Sequence, residues 1–390
     1  MMALLIAALS CGAWVYLLVG RGGFWRAAEH DNATLKPPRH FDRWPRVVAI
    51  VPARNEADVI GENLTSLLRQ HYPGKLSIVV VDDDSADGTA GVAQGAARSN
   101  AGIDRVTIVA APRLTVGWSG KVSAINHGIA HAQSLSREPP DYLLLTDADI
   151  SFANDAVTQL VLRALRDNLV LTSLMATLRC ESIAERALIP AFVFFFQMLY
   201  PFPWVKRVER ATAAAAGGCM LVHFQSLEAA GGIVAIRNQI IDDCALARLL
   251  KKRGPIWLGL TRRVKSLRAY GTVGDIRRMV SRSAYAELRY SPAMLACTVL
   301  VMTLIYLMPP IFALLGNGIP RLLGALAWIA MALAFVPTLR VYHASPLWSG
   351  ALPLIAAAYL VFTVDSAWQH ARGKGGLWKG RTYMDLSEGR

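Results

Sequence analysis

Residues 1–20 of this chain carry no charge, and uncharged runs recur at 292–315, 322–339 and 344–364. A helix of twenty residues spans ~30 Å, the thickness of a bilayer's hydrocarbon core. Three such runs crowded into 292–364 exceed what the core of a soluble domain absorbs. The first run has no basic residues ahead of it and no good Ala-x-Ala site, so a retained transmembrane helix is expected rather than a cleaved signal. Pro309 and Pro310 should kink the second run, which a membrane bundle tolerates where the freed carbonyls find partners.

The remaining composition supports that division. Apolar residues make up 54% of the chain and charged residues 18%, against ~45–50% and ~25% in ordinary soluble domains. A disordered chain and a disulfide-stapled mini-protein are excluded. The charges lean one way, with 41 Lys+Arg against 28 Asp+Glu for a net +13. Arg21, Arg26, Lys36, Arg39, Arg43 and Arg46 follow the first run, which by the positive-inside rule places the next domain in the cytoplasm. The expected organisation is a transmembrane helix at 1–20, a basic linker at 21–45, a cytoplasmic domain at 46–290, a transmembrane bundle at 291–368 and a basic tail at 369–390. Four crossings would leave that tail outside, whereas Arg372, Lys374, Lys379 and Arg381 favour the cytoplasm. Residues 191–204 are aromatic and apolar but too short to span, and the segment 188–204 reads as an interfacial part of the middle domain. Five scattered cysteines without a C-x-x-C pair argue against disulfides and a zinc site.

The middle domain alternates strand and helix patterns. Residues 46–52, 76–81, 106–110 and 142–146 are short β-rich runs, continuous in apolar residues as buried parallel strands are. Helical patterns follow Asn55, Asp87 and Lys121. This is an α/β fold with a mainly parallel sheet, in which ligands sit at the carboxyl ends of the strands. Neither G-x-G-x-x-G after the first strand nor G-x-x-x-x-G-K-[ST] is present, which disfavours dinucleotide oxidoreductases and P-loop ATPases. H-E-x-x-H and G-x-S-x-G are absent too. What remains is carboxylate chemistry.

Asp147-Ala148-Asp149 closes the strand at 142–146. Two hard oxygen donors there suit Mg²⁺ or Mn²⁺ held against phosphates. Asp82, Asp83 and Asp84 close the second strand, where they could accept from a nucleobase and ribose. A solvated turn or a helix cap explains one such aspartate and leaves the others unexplained. Gly120 and Lys121 open a helix, so the lysine could reach a phosphate beside free N–H groups. Gly217 and Gly218 let backbone approach a sugar or phosphate, or serve a turn. Asp242 and Asp243 begin an amphipathic run; one could cap it, the other could be a general base. A basic stretch from Arg248 to Arg289 could meet diphosphate or anionic lipid. No recognition module accompanies the charge, so nucleic acid is not an expected partner.

In order and spacing, Val51-Pro52-Ala53-Arg54-Asn55-Glu56, Val81 to Ser85, Gly120-Lys121, Asp147-Ala148-Asp149, Gly217-Gly218 and Asp242-Asp243 resemble an inverting family 2 glycosyltransferase of GT-A fold. More narrowly, the stretches 178–182, 189–201, 217–221 and 241–247 resemble the hopene-associated glycosyltransferases of bacterial hopanoid gene clusters. The resemblance implies that Asp82 and Asp83 hold the nucleoside of a nucleotide-sugar, most simply a UDP-sugar. It implies that Asp149 ligates Mg²⁺ or Mn²⁺, with Asp147 reaching metal, ribose or sugar. Lys121 would steady the donor pocket, and Arg282 would face the diphosphate. Asp243 would deprotonate the acceptor hydroxyl, with Asp242 beside it. The implied protein is a multi-pass enzyme of the bacterial inner membrane whose acceptor is a membrane lipid, hopanoid-related in this group. Where processive synthases carry Gln-x-x-Arg-Trp, this chain has Met279-Val280-Ser281-Arg282-Ser283. The missing tryptophan favours transfer of one sugar over polymer synthesis. A processive synthase is the alternative, and a non-catalytic membrane scaffold the second. Oligomeric state is not legible.

Overall fold

The computed structural model describes residues 1–37, 42–134 and 138–373. Part of the basic linker, 38–41, and the basic tail beyond 373 lie outside the described residues. The chain forms two compact units.

One unit, Glu29–Leu178 with Trp204–Arg268, is built on an eight-stranded sheet. Its strands are β1 (Val47–Ala53), β2 (Leu76–Asp82), β3 (Val106–Ala110), β4 (Tyr142–Thr146), β5 (Ile150–Phe152), β6 (Leu171–Thr177), β7 (Cys219–His223) and β8 (Ile256–Ser266). They lie in the order β3-β2-β1-β4-β7-β6-β8-β5. β1 runs parallel to β2 and β4, β2 to β3, and β6 to β8. β7 and β5 run antiparallel to their neighbours. Every residue of β1 and β4 is buried. The continuous apolar runs are therefore explained by helices covering both faces. The helix Ile60–Leu68 buries Ile60, Leu64 and Leu67 completely on one side, at about 1.5–3 kcal/mol per side chain.

Register decides where the chemistry lands. Ala53 lies opposite Asp82, so β1 and β2 end level and bring Arg54 beside Asp83. Thr146 lies opposite Cys219, which sets Asp147 next to the Gly217–Gly218 turn. The Thr146 hydroxyl donates to the Gly218 carbonyl at 2.8 Å and locks that edge. Ile150 lies opposite Ser266, so the residues before β5 and after β8, Asp149 and Arg268, also meet.

The second unit comprises Met1–Ala28, Arg179–Pro203 and the described residues from Ala269 on. It contains four helices long and apolar enough to cross a membrane: Met2–Val19, Pro292–Leu315, Gly318–Val341 and Pro346–Ala371. The prolines of the second leave their mark as a π-helical turn at Thr303–Leu307, ahead of Pro309. Pro309 has no N–H to give the carbonyl of Ile305. Trp14 Nε1 donates to that carbonyl at 2.8 Å instead, and Ser10 Oγ donates to the Leu304 carbonyl at 2.8 Å. A neighbouring apolar helix thus supplies the partners that proline removed.

Residues 188–204, read from sequence as an interfacial part of the middle domain, fall largely in this helical unit, as do residues 269–290. The stretch forms the helix Ile183–Leu199, started by a capping box of Ser182 and Glu185. Its Phe194 and Phe195 are buried against Phe335 and Tyr359. Those ring contacts are why it groups with the apolar helices.

Candidate active site

The site starts with the helix Asp242–Lys251, whose first turn carries both expected aspartates. Neither caps the helix with its side chain; the N-cap is Ile241. Asp243 instead turns back to accept from its neighbours. Its Oδ1 accepts from the Cys244 N–H at 2.7 Å and its Oδ2 from the Gly217 N–H at 2.9 Å. A Cβ at 217 would lie 3.1 Å from Lys121 Nζ and 3.4 Å from Asp243 Oδ2, so the lysine would have to give by a few tenths of an ångström.

Lys121 enters from the first turn of the helix Gly120–Ser134. Its ammonium lies 2.7 Å from Asp147 and 3.4 Å from Asp242. Burial alone would lower its pKa. The ring of Asp147, Asp242 and Asp243 outweighs burial and holds it above the ordinary lysine value. For Asp243 the balance tips the other way. Burial, and then the charge of Asp242, push its carboxyl up to about 6, although Lys121 and the two backbone N–H groups pull it down. A carboxylate poised there can accept a proton near neutral pH.

Asp149, one residue past Ala148, faces a different cation. Arg268 Nε donates to its Oδ2 at 2.9 Å, while Arg268 Nη2 donates to both oxygens of Glu56 at 2.8 Å. The Leu267 N–H donates to the Asp149 carbonyl at 2.7 Å and ties the two segments together. Burial and the nearby Asp147 raise the Asp149 carboxyl, and Arg268 only partly offsets them. Arg268 and Glu56 are the functional candidates that the sequence reading did not single out. They stand 212 positions apart, and no spacing rule joins them.

The carboxylates after β2 form a separate group. Asp83 is 4% exposed, its N–H donates to the Ala53 carbonyl at 2.8 Å, and Arg54 reaches its carboxylate at 4.0 Å. Asp82 accepts from the Ser85 hydroxyl. Asp84 has a left-handed backbone, φ 57°, and its side chain is 83% exposed. Asn55, also left-handed, laces the two loops, donating its N–H to Ser85 Oγ at 3.0 Å and accepting the Ala86 N–H at 2.9 Å. β1, β2 and β4 run parallel, so these carboxylates and Asp147 leave the same edge of the sheet. Gly218 lies against Ile150, where a Cβ would come within 3.0 Å. Arg282 belongs to the helical unit, where it is exposed at the C-terminal end of the helix Val273–Ser281.

Among the described residues no three His, Cys, Asp or Glu side chains converge to hold a metal by themselves. Asp147 and Asp149 offer two carboxylates, and Asp149 is raised by burial and by its neighbour's charge. That donor set fits a hard divalent cation such as Mg²⁺ or Mn²⁺ that takes its other ligands from phosphates and water.

The profile of Glycosyl transferase family 2 matches residues 48–231. An N-acetylglucosaminyltransferase of Mesorhizobium japonicum is 32% identical over 141 residues, covering 36% of this chain and 30% of that protein. A 4,4'-diaponeurosporenoate glycosyltransferase of Staphylococcus aureus is 34% identical over 114 residues, covering 29% of this chain and 26% of that protein. The chain thus spans under a third of the length of these relatives. A mannosyltransferase of Pyrobaculum calidifontis, solved with GDP-Man and Mn²⁺, shares the fold at TM-score 0.54 and 19% identity, over 94% of this chain and 99% of that one. Residues 48–231 thus match the model of Glycosyl transferase family 2, and the chain shares a GT-A-like α/β fold with that mannosyltransferase.

Proposed function

We propose that the protein transfers one sugar from a nucleotide-diphosphate-sugar, a UDP-sugar in our reading, to a hydroxyl of a membrane lipid, with inversion at the anomeric carbon. The acceptor class we favour is hopanoid-related, on the resemblance of the stretches 178–182, 189–201, 217–221 and 241–247 to that group. The observation that carries the reading is Asp243, half-buried, fixed by the Gly217 and Cys244 N–H groups, and pushed up to about 6 beside Lys121.

The acceptor hydroxyl would lie against Asp243, which takes its proton as the oxygen attacks C1. The bond from C1 to the diphosphate breaks on the opposite face, and the electron pair leaves with the nucleoside diphosphate. Asp82 and Asp83 hold the nucleoside end, where Arg54 fixes the loop. Asp149, with Asp147, would hold the divalent cation, which neutralises charge on the diphosphate when bound. Lys121 keeps Asp147 and Asp242 in place and limits how far the Asp243 carboxyl rises. We place the protein in the bacterial inner membrane, with its four apolar helices as spans and the transferase domain in the cytoplasm.

Incubation of the full-length protein in nanodiscs with UDP- and GDP-sugars, against hopanoid, polyprenyl-phosphate and ceramide acceptors, tests this. Glycosylated hopanoid with an inverted linkage is expected. Turnover confined to a growing polysaccharide, or to no lipid at all, overturns it.

A further inference from the structure

We propose that Arg268 is a stand-in cation for the Asp149 carboxylate, so that divalent metal binds weakly until a nucleotide diphosphate arrives. This rests on the metal reading above and concerns how the site is loaded. The guanidinium sits between two carboxylates from different strand ends. Nε donates to Asp149 at 2.9 Å and Nη2 donates to both oxygens of Glu56 at 2.8 Å. The three side chains are 32%, 14% and 10% exposed for Arg268, Asp149 and Glu56, so the pairs are shielded from water. The anchoring is backbone-deep, because the Leu267 N–H is bonded to the Asp149 carbonyl.

A divalent ion approaching Asp149 therefore meets a carboxylate whose Oδ2 already accepts from a cation of the chain. Bringing two positive charges to one carboxylate is repulsive at this range, strongly so where water is scarce. A diphosphate changes the sum, because its negative charge accommodates metal and guanidinium together. Glu56 gives Arg268 a second seat, so the guanidinium can yield Asp149 without losing all its partners. Metal and nucleotide binding become positively coupled, and coupling is reciprocal.

The experiment titrates Mn²⁺ alone into the full-length protein in nanodiscs, read by electron paramagnetic resonance, then repeats it with UDP and with GDP. Arg268→Gln should tighten Mn²⁺ binding without nucleotide by about tenfold and shrink the effect of nucleotide. Glu56→Gln should do the reverse, because the Glu56 charge that draws Arg268 away from Asp149 is gone. Arg268→Lys, which keeps the charge but loses the fork, should fall between wild type and Arg268→Gln. Thermal unfolding shows that each variant is folded. Unchanged or weaker Mn²⁺ binding in folded Arg268→Gln overturns the stand-in role. Absence of Mn²⁺ binding in every variant, even with both nucleotides, overturns the metal reading itself.

Discussion

The carboxylates beyond β2 and those beyond β4 leave the same edge of one sheet, yet they are held differently. After β2, Asp84 is 83% exposed with Arg54 3.6 Å from its carboxylate, Asp82 takes a serine hydroxyl, and only Asp83 is buried, with Arg54 at 4.0 Å. After β4, Asp147 and Asp149 each touch a cation, and Lys121 extends one of those contacts to Asp242. A group that recognises a polar ligand can stay wet, since water leaves when the ligand comes. A group that must hold a proton near neutral pH needs burial and neighbouring charge to move its pKa. Asp243 has both.

Breaking the buried side should cost most. Asp243→Asn keeps the shape and the donor side but cannot take a proton. Transfer should fall about a thousandfold while donor affinity, measured by calorimetry, stays near wild type. Lys121→Met comes next, because it leaves Asp147, Asp242 and Asp243 without their shared ammonium. Asp147 is 36% exposed, so the loss is set at about 3 kcal/mol, the low end for a broken buried pair. Denaturant unfolding checks this. The same change removes a lowering influence on Asp243, so the pH at which activity appears should move upward.

The wetter side should respond in binding rather than chemistry. Asp83→Asn should raise the donor KM by about tenfold with a smaller change in kcat, the loss of one hydrogen bond to a charged group. Asp84→Gly should do least. Glycine adopts φ 57° without penalty, so stability and turnover should stay within about 1 kcal/mol of wild type in unfolding and rate measurements.

What the sequence made legible follows the same division. The strands that end at Asp82 and just before Asp147 showed themselves as apolar runs stopped by carboxylates, because buried parallel strands carry little else. Asp242 and Asp243 were visible at a helix start, although the helix does not use them as caps. The Arg268–Glu56–Asp149 triad was not visible, because it depends on β8 folding back beside β5. Arg268 looked like one more charge in a basic stretch. The phenylalanines of 188–204 read as interfacial because nothing local says which rings they meet.

The pH dependence of kcat/KM for sugar transfer tests the central claim most directly. Only ionised Asp243 can accept the hydroxyl proton, so the rate should climb as pH rises through about 6 and then level off. Asp243→Asn should lose that limb along with most of the rate. A wild-type profile that is flat from about pH 5 to 7, or an unchanged limb in Asp243→Asn, would contradict the assignment of Asp243 as the base.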